Sequence, residues 1–283
     1  MSTGTPLAGH FAPGTLPFRD GHIGVAELGE GPTVGYLHGM LGNPGTHAVL
    51  EALAAADHRV VAPSLPGFTG SSEPDGLRNL HDWVVATSEV VDIAGLTGAP
   101  LVASSVGAML ALELAAIRPE AFGPMVLVAP FGLWDDSDPV ADPFGTTLSV
   151  QRAMLTEDTE ASAAFFDDPT DLPADMVVEH GVHRYLTRTA AAQLIWPLPE
   201  WGLANRLHRV RNPVTLVHGA KDRIIPASYL ERWAEALPNV ASTHLLDDAG
   251  HQADFDQPAQ VAQIATAALA SAAGARLLDG PIA

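Results

Sequence analysis

The sequence predicts an α/β protein: a mostly parallel central sheet flanked by helices, with a helical cap inserted before the last strands. Three observations predict it. Short runs rich in Val and Leu alternate with longer stretches of helical periodicity, the central runs are apolar throughout, and one interval from Phe131 to Glu200 breaks the alternation. Strand then helix, repeated, builds a parallel sheet with right-handed crossovers. Strands covered on both faces lose the apolar–polar alternation of a half-exposed sheet.

In chain order, strands are expected at His22–Leu28, Thr33–Leu37, Arg59–Ala62, Leu101–Ser104, Met125–Ala129, Val214–Val217 and Ser242–Leu246, most of them bounded by Gly, Pro or Asp. Helices are expected at Thr46–Ala56, Leu80–Ala94, Val106–Ile117, Ala227–Ala236 and Pro258–Ala272. Asn79 and Asp256 are expected to cap the helices that follow them. The interval without strands carries Asp/Pro-rich joints at Asp135–Asp142 and Asp167–Pro173, with short helices expected at Leu148–Leu155, Glu160–Phe166 and Asp175–Ala192. The division that follows is a core of residues 1–130 and 201–283 and a helical cap of residues 131–200.

Composition narrows the function classes. Hydrophobic residues make up 47% of the 283 and charged ones 17%, which suits a compact globule with a deep core. Lys and Arg total 14 against 33 Asp and Glu, a formal charge of -19. Such a field repels phosphate backbones and anionic lipid, so neither a nucleic acid nor a membrane is expected as partner. The absence of cysteine excludes disulfides, a thiol nucleophile and thiolate metal sites. Met1 to Thr15 has no basic cluster and no long apolar run, and no stretch nears the roughly 20 residues of a membrane span. A cytoplasmic location is the expectation. Self-association into a homo-oligomer is left open.

The first chemical signal is Ala103-Ser104-Ser105-Val106-Gly107, where a strand runs directly into a helix. A turn this sharp lifts one residue above the sheet in a strained backbone conformation. Only small side chains fit two positions before and two after it. Ser105, between Ala103 and Gly107, meets that demand; Ser104 would put Val102 and Val106 at the crowded positions. The helix starting behind Ser105 aims its N–H groups and positive dipole end at the same point.

With its partners in order along the chain, this turn resembles the α/β-hydrolase family from about His22 to about Ala272. The motifs are Leu37-His38-Gly39-Met40, the Ser105 elbow, Gly219-Ala220-Lys221-Asp222 with Pro226, and Ala249-Gly250-His251. Ser, Asp, His is the family's chain order. The resemblance implies Ser105 as nucleophile, His251 as base and Asp222 as the acid that orients it. Asp247, Asp248, Asp135 and Asp136 are rivals for the acid by sequence position. It also implies an oxyanion hole from the backbone N–H groups of Met40 and Val106, with His38 structural. One departure is Ser64, which stands where an Asp is common in the family's loop after the Arg59–Ala62 strand.

The implied chemistry is two-step acyl transfer without cofactor or metal. Ser105 argues against dehalogenases and epoxide hydrolases, which place an aspartate at the elbow. A carboxylesterase-like hydrolase of a small, uncharged and fairly apolar substrate is expected. A carbon–carbon bond hydrolase, lactonase or thioesterase are alternatives on the same triad, with a lyase or a non-catalytic binding protein beyond them. Trp134, Phe165, Phe166 and Trp196, with Phe144 and Leu194, are expected to roof the pocket. His81, His183 and His208 read as surface or packing residues. His180 and His183 at spacing three suggest a metal pair, but no third ligand accompanies them.

Overall fold

The computed structural model describes residues 14–43, 47–73, 75–158, 162, 166, 173–196 and 201–278. Eight strands form one sheet: β1 Gly14–Phe18, β2 Gly21–Leu28, β3 Thr33–Leu37, β4 Arg59–Pro63, β5 Leu101–Ser104, β6 Met125–Val128, β7 Val214–Gly219 and β8 Val240–Leu246. Their spatial order is β1-β2-β4-β3-β5-β6-β7-β8. The first two pairings, β1 with β2 and β2 with β4, are antiparallel, and every pairing from β4 through β8 is parallel.

The helices are α1 Ala48–Ala55, α2 Leu80–Ile93, α3 Ser105–Ile117, α4 Leu148–Leu155, α5 Ala174–Ile195, α6 Tyr229–Ala236, α7 Ala253–Asp256 and α8 Pro258–Leu278. Side chains of the central strands divide between two hydrophobic clusters according to parity. Leu101, Ala103, Met125 and Leu127 face the cluster built with α2 and α3, while Val102, Val126 and Val128 face the one built with α1 and α8. A period of two on strands buried on both faces produces this division, and it explains why those strands read as unbroken apolar runs. α3 is buried along nearly its whole length, from Ser105 to Ala116.

Between β6 and β7 the chain leaves the sheet, and α4 and α5 lie in that interval. α5 returns Ala190, Ala191, Leu194 and Ile195 to the α3 side of the core. The helix expected at Glu160–Phe166 lies outside the described residues except for Ser162 and Phe166.

Two local expectations need correction. β1 was not expected, because Pro17 and the exposed Gly14 and Thr15 mask its pattern; as an edge strand it tolerates both features. Asn79 caps α2 as expected, accepting from the His81 and Asp82 N–H groups. Asp256 does not cap α8. It ends α7, and its carboxylate accepts from the N–H groups of Gly250, Glu157 and Asp158 instead.

Candidate active site

β5 enters α3 without an intervening loop, and Ser105 at the junction has φ of 53°. A non-glycine residue held there costs about 1–3 kcal/mol, which surrounding packing must offset. The apolar first turns of α3 and the pairing of Ser104 with Val128 supply that packing.

His251 stands in the loop after β8, buried, with its ring edge-on to Phe131 at 5.3 Å between centroids. Its Nε2 lies 2.7 Å from Ser105 Oγ and its Nδ1 2.9 Å from Asp222 Oδ2. With a carboxylate on Nδ1, that nitrogen carries the proton and Nε2 is left to accept from the serine hydroxyl. Asp222 follows β7. Its Oδ1 accepts from the Ile224 N–H at 2.8 Å and the Ile225 N–H at 2.9 Å. Burial works against ionisation of Asp222, but the charge of His251 and hydrogen bonds from His218 and His251 outweigh it. The carboxyl is held well below the usual range.

Two loops must meet for this chain of hydrogen bonds to close. A side chain at Gly219 would put its Cβ 2.1 Å from the Gly250 carbonyl oxygen, so only glycine lets the loop bearing His251 cross the end of β7. Three of the four rival acids are engaged elsewhere. Asp135 pairs with Arg232, Asp136 accepts from Trp134 Nε1, and Asp248 pairs with Lys221.

Met40 follows β3 in a turn closed by the Gly42 N–H donating to the Gly39 carbonyl at 3.1 Å. A Cβ at Gly39 would stand 3.0 Å from Ser105 Cβ, so this turn lies directly against the elbow. Val106 is in the first turn of α3, where N–H groups have no intrahelical acceptor. His38 is buried between Gly39 O and the Leu65 N–H, and burial lowers its pKa to about 4. It ties the β3 and β4 loops together.

Beneath the elbow lies a second polar layer. Ser104 Oγ donates to Asp254 Oδ1 at 3.0 Å, Tyr36 donates to the other oxygen, and Gln252 Nε2 approaches Ser104. Burial pushes the Asp254 carboxyl up, only partly opposed by the hydrogen bonds from Tyr36 and Ser104.

A cavity of about 220 Å³ opens beside the Met40 turn. Met40, Leu41, Phe144, Leu148, Leu155 and Phe166 give it apolar walls, and α5 contributes His180, Arg184, Thr187 and Arg188. Arg188 donates to the carbonyl oxygens of Phe144 and Thr146, which fixes its guanidinium in the wall.

The sequence matches the profile described as "Alpha/beta hydrolase family" over residues 36–264. The chain belongs to this family. It is 27% identical over 261 residues to a 2-hydroxymuconate semialdehyde hydrolase of Pseudomonas putida, covering 87% of this chain and 90% of that protein. It is 25% identical over 254 residues to a 2-hydroxy-6-oxo-6-phenylhexa-2,4-dienoate hydrolase of Burkholderia cepacia, covering 83% and 86%. Among solved structures, a meta-cleavage product hydrolase from Pseudomonas fluorescens shares the fold at a TM-score of 0.68 and 18% identity, covering 89% of this chain and 95% of that one.

In this alpha/beta hydrolase the expected roof differs from the observed one. Of the five aromatics expected there, Phe144 and Phe166 line the cavity. Trp196 is exposed, Trp134 packs at the rim of the core with its indole on Asp136, and Phe165 lies outside the described residues. His183, expected at the surface or in packing, lines the cavity with His180. The arginines escaped the sequence reading, although a signal existed. His180, Arg184 and Arg188 recur every four residues, the spacing that puts side chains on one helix face. No helix among the described residues is long and apolar enough to cross a membrane.

Proposed function

We propose that this chain is a serine hydrolase that cleaves an acyl bond of a small carbonyl compound. One observation carries the reading: Ser105, His251 and Asp222 form an unbroken hydrogen-bonded chain at 2.7 and 2.9 Å, with Ser105 on a strained turn. His251 Nε2 takes the hydroxyl proton as Ser105 Oγ attacks the carbonyl carbon, and Asp222 stabilises the imidazolium. The oxyanion that forms is held by the N–H groups of Met40 and Val106. His251 then gives its proton to the leaving group, and water attacks the acyl-enzyme in the reverse sense. A fluorophosphonate probe with peptide mapping tests the class: labelling at Ser105 is expected, and a failure to label Ser105 sinks the reading.

The cavity refines the substrate. An apolar body fits the Leu, Met and Phe walls, and the fixed cation of Arg188 favours a substrate with one anionic end over the uncharged one expected from sequence. The same feature favours a second reading, hydrolysis of a carbon–carbon bond in an oxo-dienoate of the kind named for the relatives. Those compounds pair an aldehyde or ketone carbonyl with a carboxylate. Comparing kcat/KM for p-nitrophenyl esters and for 2-hydroxy-6-oxo-dienoates separates the two. The carbon–carbon reading requires the dienoate to be preferred by at least about tenfold, or about 1.4 kcal/mol of transition-state stabilisation.

A further inference from the structure

Two histidines reach the carboxylate of Asp222. Besides His251 Nδ1 at 2.9 Å, His218 Nε2 lies 3.3 Å from the same oxygen, Oδ2, and 3.0 Å from the carbonyl oxygen of Ile225. His218 belongs to β7 and is fully buried. Both neighbours of its Nε2 are acceptors, so the proton sits on Nε2. Its Nδ1 is buried, with no partner among the described residues.

The two carboxylate oxygens are used differently. Oδ1 is fixed by the Ile224 and Ile225 N–H groups, so the orientation of Asp222 is set without His218. Oδ2 has lone pairs for two donors: it accepts from His251 Nδ1, and the Nε2–H of His218, which donates to the Ile225 carbonyl, reaches it at 3.3 Å as a second, longer branch. A second donor draws charge from the oxygen and leaves less to stabilise a proton on the first partner.

We propose that His218 is a positioning residue acting through Asp222: its Nε2–H shares Oδ2 with His251 and moderates the carboxylate's hold on that imidazole. The inference rests on the triad reading above. The other titratable or charged groups around the pair are Ser105 in front of His251 and Asp254 from α7. Asp256 lies on the Gly250 N–H, Arg223 is paired with Glu157, and Lys221 is paired with Asp248. All of these remain in place when His218 alone is replaced.

The test is an NMR titration of the His251 ring in the full chain, run beside the pH profile of kcat/KM. His218→Phe keeps a ring but removes the donor; it is expected to raise the His251 midpoint, and with it the acid limb of the profile, by about 0.5 to 1 pH unit. His218→Gln restores an N–H donor and is expected to return both toward wild type. An unmoved or lowered midpoint in His218→Phe overturns the proposal, as does a His218→Gln shift equal to that of His218→Phe. Should His218→Phe fail to fold, the ring-nitrogen shifts of wild-type His218 decide: a proton on Nδ1 in place of Nε2 overturns it. The NMR readout needs no turnover. A chain whose Ser105 proves unreactive would therefore fail the triad reading while His218 is still judged by the His251 midpoint.

Discussion

Ser104 and Ser105 are neighbours in the chain with opposite partners: Ser104 Oγ donates down to Asp254 Oδ1 at 3.0 Å, and Ser105 Oγ faces up to His251 Nε2 at 2.7 Å. The sharp turn between strand and helix sends successive side chains to different layers. One hydroxyl serves as an anchor, and the other is presented to a base.

Exchanging them therefore gives different outcomes. Ser105→Ala is expected to leave only about 10³-fold acceleration over water, contributed by the oxyanion donors and binding. Ser104→Ala is expected to keep activity and to lose about 1 kcal/mol of stability with its hydrogen bond. Steady-state rates on a short ester and thermal melts measure both. Inactivation by Ser104→Ala with a silent Ser105→Ala would move the nucleophile.

Asp222→Asn is expected to lower kcat by about 10⁴, because an amide facing Nδ1 favours the wrong tautomer of His251. Asp136→Asn and Asp248→Asn, whose carboxylates are bound to Trp134 and Lys221, are expected to stay within a few-fold of wild type.

Asp222 and Asp254, whose carboxylates are both buried, give opposite pH signatures. Asp222 is held below its unfolded value, so its contribution is full above about pH 4 and is lost as pH falls through the folded pKa. Asp254 is pushed above its unfolded value, so its contribution is full below about pH 4 and is lost as pH rises toward its folded pKa. Melting temperatures of Asp254→Asn are expected to gain on wild type as pH rises above about 4. Those of Asp222→Asn are expected to fall furthest behind at neutral pH and to close the gap in acid. A constant offset across the range in either variant would contradict the assignment.

Arg188→Met is expected to cut kcat/KM for a carboxylate-bearing substrate by about 10- to 100-fold, as the loss of a charge-assisted hydrogen bond of about 1.5–3 kcal/mol implies. Its effect on an uncharged ester is expected to be small. Trp196→Ala, at an exposed position, is expected to leave the ranking of substrates unchanged. Equal losses on both substrates in Arg188→Met would mean that the arginine only braces the wall.

Much of this architecture was legible in the sequence for one reason: the sheet's central strands are buried on both faces, so their apolar runs are continuous. The elbow was legible through Gly107. A Cβ there would stand 2.5 Å from the His38 carbonyl oxygen, so the sequence records a backbone crossing as a missing side chain. Ser105, Asp222 and His251 were legible with it as candidates, and the structure brings the three within hydrogen-bond reach. What stayed hidden depends on direction, which residue type does not encode. Trp134 and Trp196 are aromatic in sequence, but one turns its indole to Asp136 and the other lies in solvent. Asp256 looked like a cap because a helix follows it, and three N–H groups from two other loops claimed its oxygens first.

That diversion of Asp256 links parts of the chain about a hundred positions apart. The Gln252 N–H donates to the Leu155 carbonyl at 2.8 Å, and the Asp256 carboxylate holds the Gly250, Glu157 and Asp158 N–H groups together. The C-terminal end of α4 is thus spliced to the loop that bears His251. Leu148 and Leu155, which line the cavity, therefore stand on the helix whose end is tied to the loop that carries the imidazole.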